Sequence, residues 1–100
     1  MASHYFAVRR RHGPGWDDTR ALREQVLWTE HADLMDAMVA EGFIVLGGPI
    51  GDGSEVLLVF DAPSEEVIHA RLEEDPWTRD GLLVTTRVEP WTVLLDRTAA

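Results

Sequence analysis

The sequence predicts a single α+β domain with the element order β-α-β-β-α-β. Three observations carry this expectation. One hundred residues make one domain (1–100) of near-modal size, with an apolar content ordinary for a globular fold. Four short stretches alternate as strands do, and two longer stretches repeat apolar residues at helical spacing, one after the first strand and one after the third.

Tyr5 to Arg10 alternates, with Tyr5 and Ala7 on one face and Phe6 and Val8 on the other, until His12-Gly13-Pro14-Gly15 breaks the pattern. Asp17 to Ala40 reads as helical, in two pieces or bent near Trp28-Thr29, with Asp17 or Asp18 as cap and Gly42 as stop. Leu27, His31, Leu34, Met35 and Met38 share one stripe of that helix, flanked by acidic residues. Phe43 to Leu46 is a short strand running into a Gly47-Gly48-Pro49 turn; Gly51-Asp52-Gly53 is a further turn, and Glu55 to Phe60 the third strand. Ser64 caps a second helix that carries two acids in its first turn, runs to about Glu74 and is ended by Pro76. Gly81 introduces a last strand, Leu82 to Val88, which Trp91 to Leu95 extends or follows as a separate strand; the tail Thr98-Ala99-Ala100 is expected to fray.

Right-handed crossovers place both helices on one face of a four-stranded antiparallel sheet, a ferredoxin-like arrangement. The strands carry apolar residues on both faces, and four Trp and three Phe must be buried. The helix-free face is therefore expected to be covered by a second copy, giving a homodimer with its sheets face to face.

Composition removes several function classes. A net charge of −9 argues against nucleic acid, which needs a basic surface; Arg9, Arg10 and Arg11 form the one basic cluster. The absence of Cys excludes disulfides, thiolate nucleophiles and zinc–thiolate sites, and the absence of Lys excludes Schiff-base chemistry. No apolar run is long enough for a membrane span, and the first residues lack a signal-peptide pattern, so the expected location is the cytoplasm.

Two ionisable residues fall on inward stripes. His31 lies among Leu27, Leu34, Met35 and Met38, where it is either a general acid–base or a core histidine satisfied by a backbone carbonyl. Asp75 continues the apolar row of Ile68 and Leu72, and is either an orienting partner for an imidazole or the N-cap of a turn beginning Pro76-Trp77. Gly48 and Pro49 suit a pocket wall but not a phosphate loop, and Trp77 and Trp28 suit apolar walls for a small ligand. His4, His12 and His69 share no ligand spacing with His31, so no metal is expected. Ser3, Ser54 and Ser64 sit in a terminus, a turn and a cap rather than in a nucleophile elbow.

Together these residues resemble the YCII-related family: His31 with Leu34, Gly42, Gly47-Gly48-Pro49, Asp75-Pro76-Trp77, Gly81-Leu82, and Val88-Glu89-Pro90-Trp91. The likeness spans Tyr5 to about Leu95. Trp77 stands where that family more often has Tyr, and the stretch from Arg10 to Gln25 is longer and more acidic than the family pattern. The resemblance implies a dimeric α/β-barrel of ferredoxin-like subunits and a His–Asp pair as the active site, here His31 and Asp75. It also implies chemistry like that of a dehydrochlorinase of chlorinated-aromatic breakdown, or of the muconolactone isomerases that share the fold. In a ferredoxin-like subunit, however, both helices are expected to run the same way, so that Asp75 lies at the far end of its helix while His31 is about ten residues, roughly 15 Å, before the end of its own. A shared pocket is then expected rather than direct contact.

The expected function is a small cytoplasmic lyase or isomerase that uses His31 as proton-transfer base and Asp75 as its orienting partner, with no cofactor. The alternative is a non-catalytic small-ligand-binding or protein-interaction module of the same dimeric fold. Monooxygenase-like oxidation of a quinone-type substrate is a third reading, to which no residue points.

Overall fold

A computed structural model describes residues 4–97 of the chain. The expected fraying of Thr98-Ala99-Ala100, and the readings of Met1 to Ser3, lie outside those residues. Strand β1 (Tyr5–His12) is followed by an irregular segment with one short 3-10 turn (Leu22–Glu24), then helix α1 (Trp28–Ala40), β2 (Ile44–Ile50), β3 (Glu55–Asp61), α2 (Glu65–Leu72), the single-turn helix α3 (Pro76–Arg79) and β4 (Leu83–Pro90). The strands form one antiparallel sheet in the order β2-β3-β1-β4, so the α+β, ferredoxin-like βαββαβ arrangement is present.

The register explains which residues reach the helices. Phe6 pairs with Phe60, Val8 with Leu58 and Val88, and Arg10 with Val56, so alternate residues of adjacent strands share a face. On that face Val8, Ile44, Leu58 and Phe60 pack against Met38 of α1 and Ile68 and Leu72 of α2 in one apolar cluster. Fully buried side chains of this size stabilise the fold by about 1.5–3 kcal/mol each. Ser64 caps α2 by accepting from Val67 N at 3.3 Å, as the sequence predicts.

Three expectations are corrected. The stretch from Asp17 to Leu27 is not helical apart from its 3-10 turn. The Asp17 carboxylate accepts from Thr19 N and Oγ1, closing a local turn, and the buried Gln25 side chain folds the segment on itself through Asp17 N, Asp17 O and Arg20 O. Leu27 then sits at φ +63°, where no right-handed helix continues, and α1 begins at Trp28. Gly47-Gly48-Pro49 is strand, paired with Leu58, Leu57 and Val56 rather than turning. Pro49 is tolerated because β2 lies at the sheet edge, and a Cβ on Gly47 would come within 2.3 Å of Leu58 Cδ2. The segment after Pro90 leaves the sheet as irregular chain, tied by Trp91 N donating to Tyr5 O at 2.9 Å, and forms no further strand.

The fourth correction concerns direction. β1 and β2 are each antiparallel to β3, hence parallel to one another, while β3 and β4 run the opposite way. The connecting helices must follow suit, so α1 and α2 are antiparallel. The start of α1 and the end of α2 therefore meet at one end of the sheet, together with the C-terminal ends of β1 and β2. No described helix is long and apolar enough to cross a membrane.

Candidate active site

At that end, His31 in the first turn of α1 meets Asp75 at the start of α3. His31 Nδ1 lies 3.0 Å from Asp75 Oδ1 and 2.9 Å from Oδ2. The expected separation does not exist, because it rested on parallel helices. Asp75 also holds its capping role: Oδ1 accepts from Trp77 N at 3.0 Å, with Pro76 at the first helical position. The two readings of Asp75 are one geometry, since the turn that needs a cap is the turn that aims the carboxylate at His31.

A third group completes the cluster. Arg10 is fully buried on the helix-covered face of β1; its Nη1 donates to Asp75 Oδ2 at 3.2 Å and its Nη2 to Thr78 Oγ1, while Nε has no partner. Burial lowers the Arg10 guanidinium from its usual value, and Asp75 offsets part of that. At Asp75, burial pushes the carboxyl up and is the largest single effect. The hydrogen bond and charge of His31, the Trp77 N–H and Arg10 together outweigh it, and the carboxyl titrates below its ordinary value. Asp75 is thus an ionised, acceptor-only group. The proton between it and His31 sits on Nδ1, and in neutral imidazole the lone pair lies on Nε2. Nε2 bonds to nothing among the described residues, and His31 lines an open cavity of about 260 Å³.

The cavity walls are aromatic and apolar. Trp77 stacks on His31 at 3.9 Å with planes 8° apart, and its indole N–H is tied to Val26 O at 2.6 Å. Trp28, the first residue of α1, tilts against both, at 5.9 Å from His31 and 5.7 Å from Trp77. Gly48 and Pro49 line the same space from β2, as strand residues of its edge. Of the residues singled out in the sequence, His31, Trp28, Trp77, Gly48 and Pro49 meet at the cavity, and Asp75 stands directly behind His31.

Sequence reasoning missed Arg10, Thr78, Trp16 and His12. Arg10 had a signal: alternation from Phe6 and Val8 puts it on the inward face, where a charge is costly without a partner. The basic cluster Arg9-Arg10-Arg11 obscured it. Trp16, packed edge-on to Trp77 at 5.5 Å, had none, because its segment follows neither a strand nor a helix period. Among the described residues no group of three or more His, Cys, Asp or Glu could hold a metal ion.

No family profile and no curated protein matches the chain. A solved structure does: a 5-chloro-2-hydroxyhydroquinone dehydrochlorinase from Burkholderia phenoliruptrix AC1100, in complex with 2,5-dihydroxybenzoquinone. It is 27% identical, with a TM-score of 0.64, over 88% of this chain and 93% of that one. That neighbour is an enzyme of the same fold, with a small planar molecule bound.

Proposed function

We propose that this chain is a lyase- or isomerase-type enzyme that moves a proton on a small, planar, oxygenated ring. The observation that carries the proposal is the buried Arg10–Asp75–His31 relay ending in an open Nε2 at an aromatic cavity. Arg10 holds Asp75 ionised, Asp75 holds His31 in the Nδ1–H tautomer, and Nε2 takes a proton from a ring hydroxyl and returns it to a ring carbon. A ring bearing a leaving group loses it as an anion with the bonding pair as a second hydroxyl proton departs; a lactone-like ring is isomerised instead. Trp77 and Trp28 flank the substrate, and Gly48 and Pro49 shape the rim. The dehydrochlorinase neighbour and its quinone ligand support this class of substrate.

The test uses purified protein with 5-chloro-2-hydroxyhydroquinone and the unchlorinated triol, measuring chloride release and deuterium uptake at ring carbons. The expected result is turnover that falls at least a hundredfold in His31→Gln. Rates equal to those of the variant on every ring tried would leave only a binding module.

We also read the chain as a homodimer acting in the cytoplasm. Leu46 on the helix-free side and Leu94 and Leu95 beyond β4 are 63%, 86% and 93% exposed, apolar side chains left for a second copy to cover. Sedimentation equilibrium showing a monomer at micromolar concentration would overturn this.

A further inference from the structure

The segment between β1 and α1 begins beside a second imidazole at the cavity. His12, the last residue of β1, is on the inward face of the alternation that carries Val8 and Arg10, and it lines the same cavity as His31. Its ring stacks on Trp16 at 3.7 Å with planes 9° apart, the carboxylates of Asp18 and Asp52 act on it through their charge, and it makes no hydrogen bond to another described side chain. From His12 to Trp16, Trp77 and His31 the ring centroids follow at 3.7, 5.5 and 3.9 Å, so two indoles separate the two imidazoles.

This tier is held rigidly. Gly13 N donates to Leu82 O at 2.8 Å and Gly15 N to Gly81 O at 2.9 Å, pinning the loop to the turn that follows α3. The approach is so close that a Cβ on Gly13 would lie 2.2 Å from Gly81 O, and one on Gly15 2.3 Å from Asp80 O. A partly exposed imidazole that lines the cavity, its backbone held by the strand before it and by the pinned loop after it, is placed to meet a ligand.

The geometry points to His12 as a second substrate-binding residue: the site takes a six-membered ring with oxygen on two of its edges, one received by His31 Nε2 and the other by a ring nitrogen of His12. This rests on the proposed function and deepens it, because one imidazole alone would bind any hydroxylated ring. A ring held in this shared cavity with oxygen on two edges would offer one to each imidazole, at ordinary hydrogen-bond lengths of about 2.7–3.2 Å. Phenol, with oxygen on one edge, reaches only one.

The experiment compares 2,5-dihydroxybenzoquinone with phenol on the unmutated chain and on His12→Phe, which keeps an aromatic ring against Trp16. Quinone binding is read by calorimetry, and phenol binding by the indole N–H resonances of Trp16 and Trp77. His12→Phe is expected to weaken the quinone about tenfold, the worth of one lost hydrogen bond, and to leave phenol within twofold. His12→Gln, which restores a donor, is expected to recover part of the quinone loss. Unchanged quinone affinity in His12→Phe, or equal losses for quinone and phenol, overturns the assignment of His12 alone. If neither ring binds the unmutated chain, the proposed function falls and this inference with it.

Discussion

Where Phe6, Phe60 and Ile44 lie, the space between sheet and helices is filled by apolar side chains: Met38, Ile68 and Phe43 close over the strands. At the opposite end of the same face, the corresponding space holds a buried guanidinium, a buried carboxylate, an imidazole and an open cavity. The first end gains stability from every contact. The second spends some of it, because taking ions out of water costs several kcal/mol each and is repaid only by good geometry. The Pro76–Arg79 turn, capped by Asp75 and braced through Thr78 to Arg10, supplies that geometry.

If this contrast is right, variants at the two ends should fail differently. The largest effect is expected from His31→Gln, which should lower proton transfer to a ring substrate by a factor of about 10²–10⁴ while moving the urea midpoint little. Asp75→Ala should cost both activity and about 3–5 kcal/mol of stability, because Arg10 is left buried without its counter-charge. The double variant Arg10→Met, Asp75→Leu should recover most of that stability in urea titration and none of the activity. Ile68→Ala, at the filled end, should cost about 2–5 kcal/mol by cavity formation yet leave ring binding intact once folded. A similar loss of binding in Ile68→Ala would erase the distinction between the ends.

A subtler difference is expected in acid. Asp75 titrates below its unfolded value of about 3.9, so its contribution is fully present above that pH and is lost as the pH falls through its folded pKa. Urea midpoints between pH 6 and pH 2 should therefore fall less steeply in Asp75→Asn than in the unmutated chain, whereas Ile68→Val should shift the curve without changing its slope. The smallest effect belongs to Ser64→Ala at the start of α2, about 1 kcal/mol from a lost cap, with no change at the cavity.

Much of the architecture was legible because it rests on local periodicity. Alternation in β1 and β3, the helical stripe through His31 and Met38, the Ser64 cap and the proline after Asp75 are short-range signals, and all four describe the folded chain. The segment from Gly13 to Leu27 misled: its acidic residues resemble helix starts, but Asp17 and Gln25 bind neighbouring backbone instead, and Leu27 turns left-handed. Gly47-Gly48-Pro49 resembles a turn for similar reasons, yet edge pairing with β3 keeps it extended.

At the site, the sequence by itself determined the kinds of groups and their inward faces: a histidine among apolar neighbours, an aspartate before proline, tryptophans at helix starts. Only the tertiary structure decided that they meet. Antiparallel pairing of β1 and β2 with β3 reverses one helix against the other, which brings residues 44 positions apart to 2.9 Å and draws in Arg10 from a strand between them. Periodicity reports which way a side chain faces along its own element; the direction in which elements run past one another is set by sheet pairing, which no local window contains.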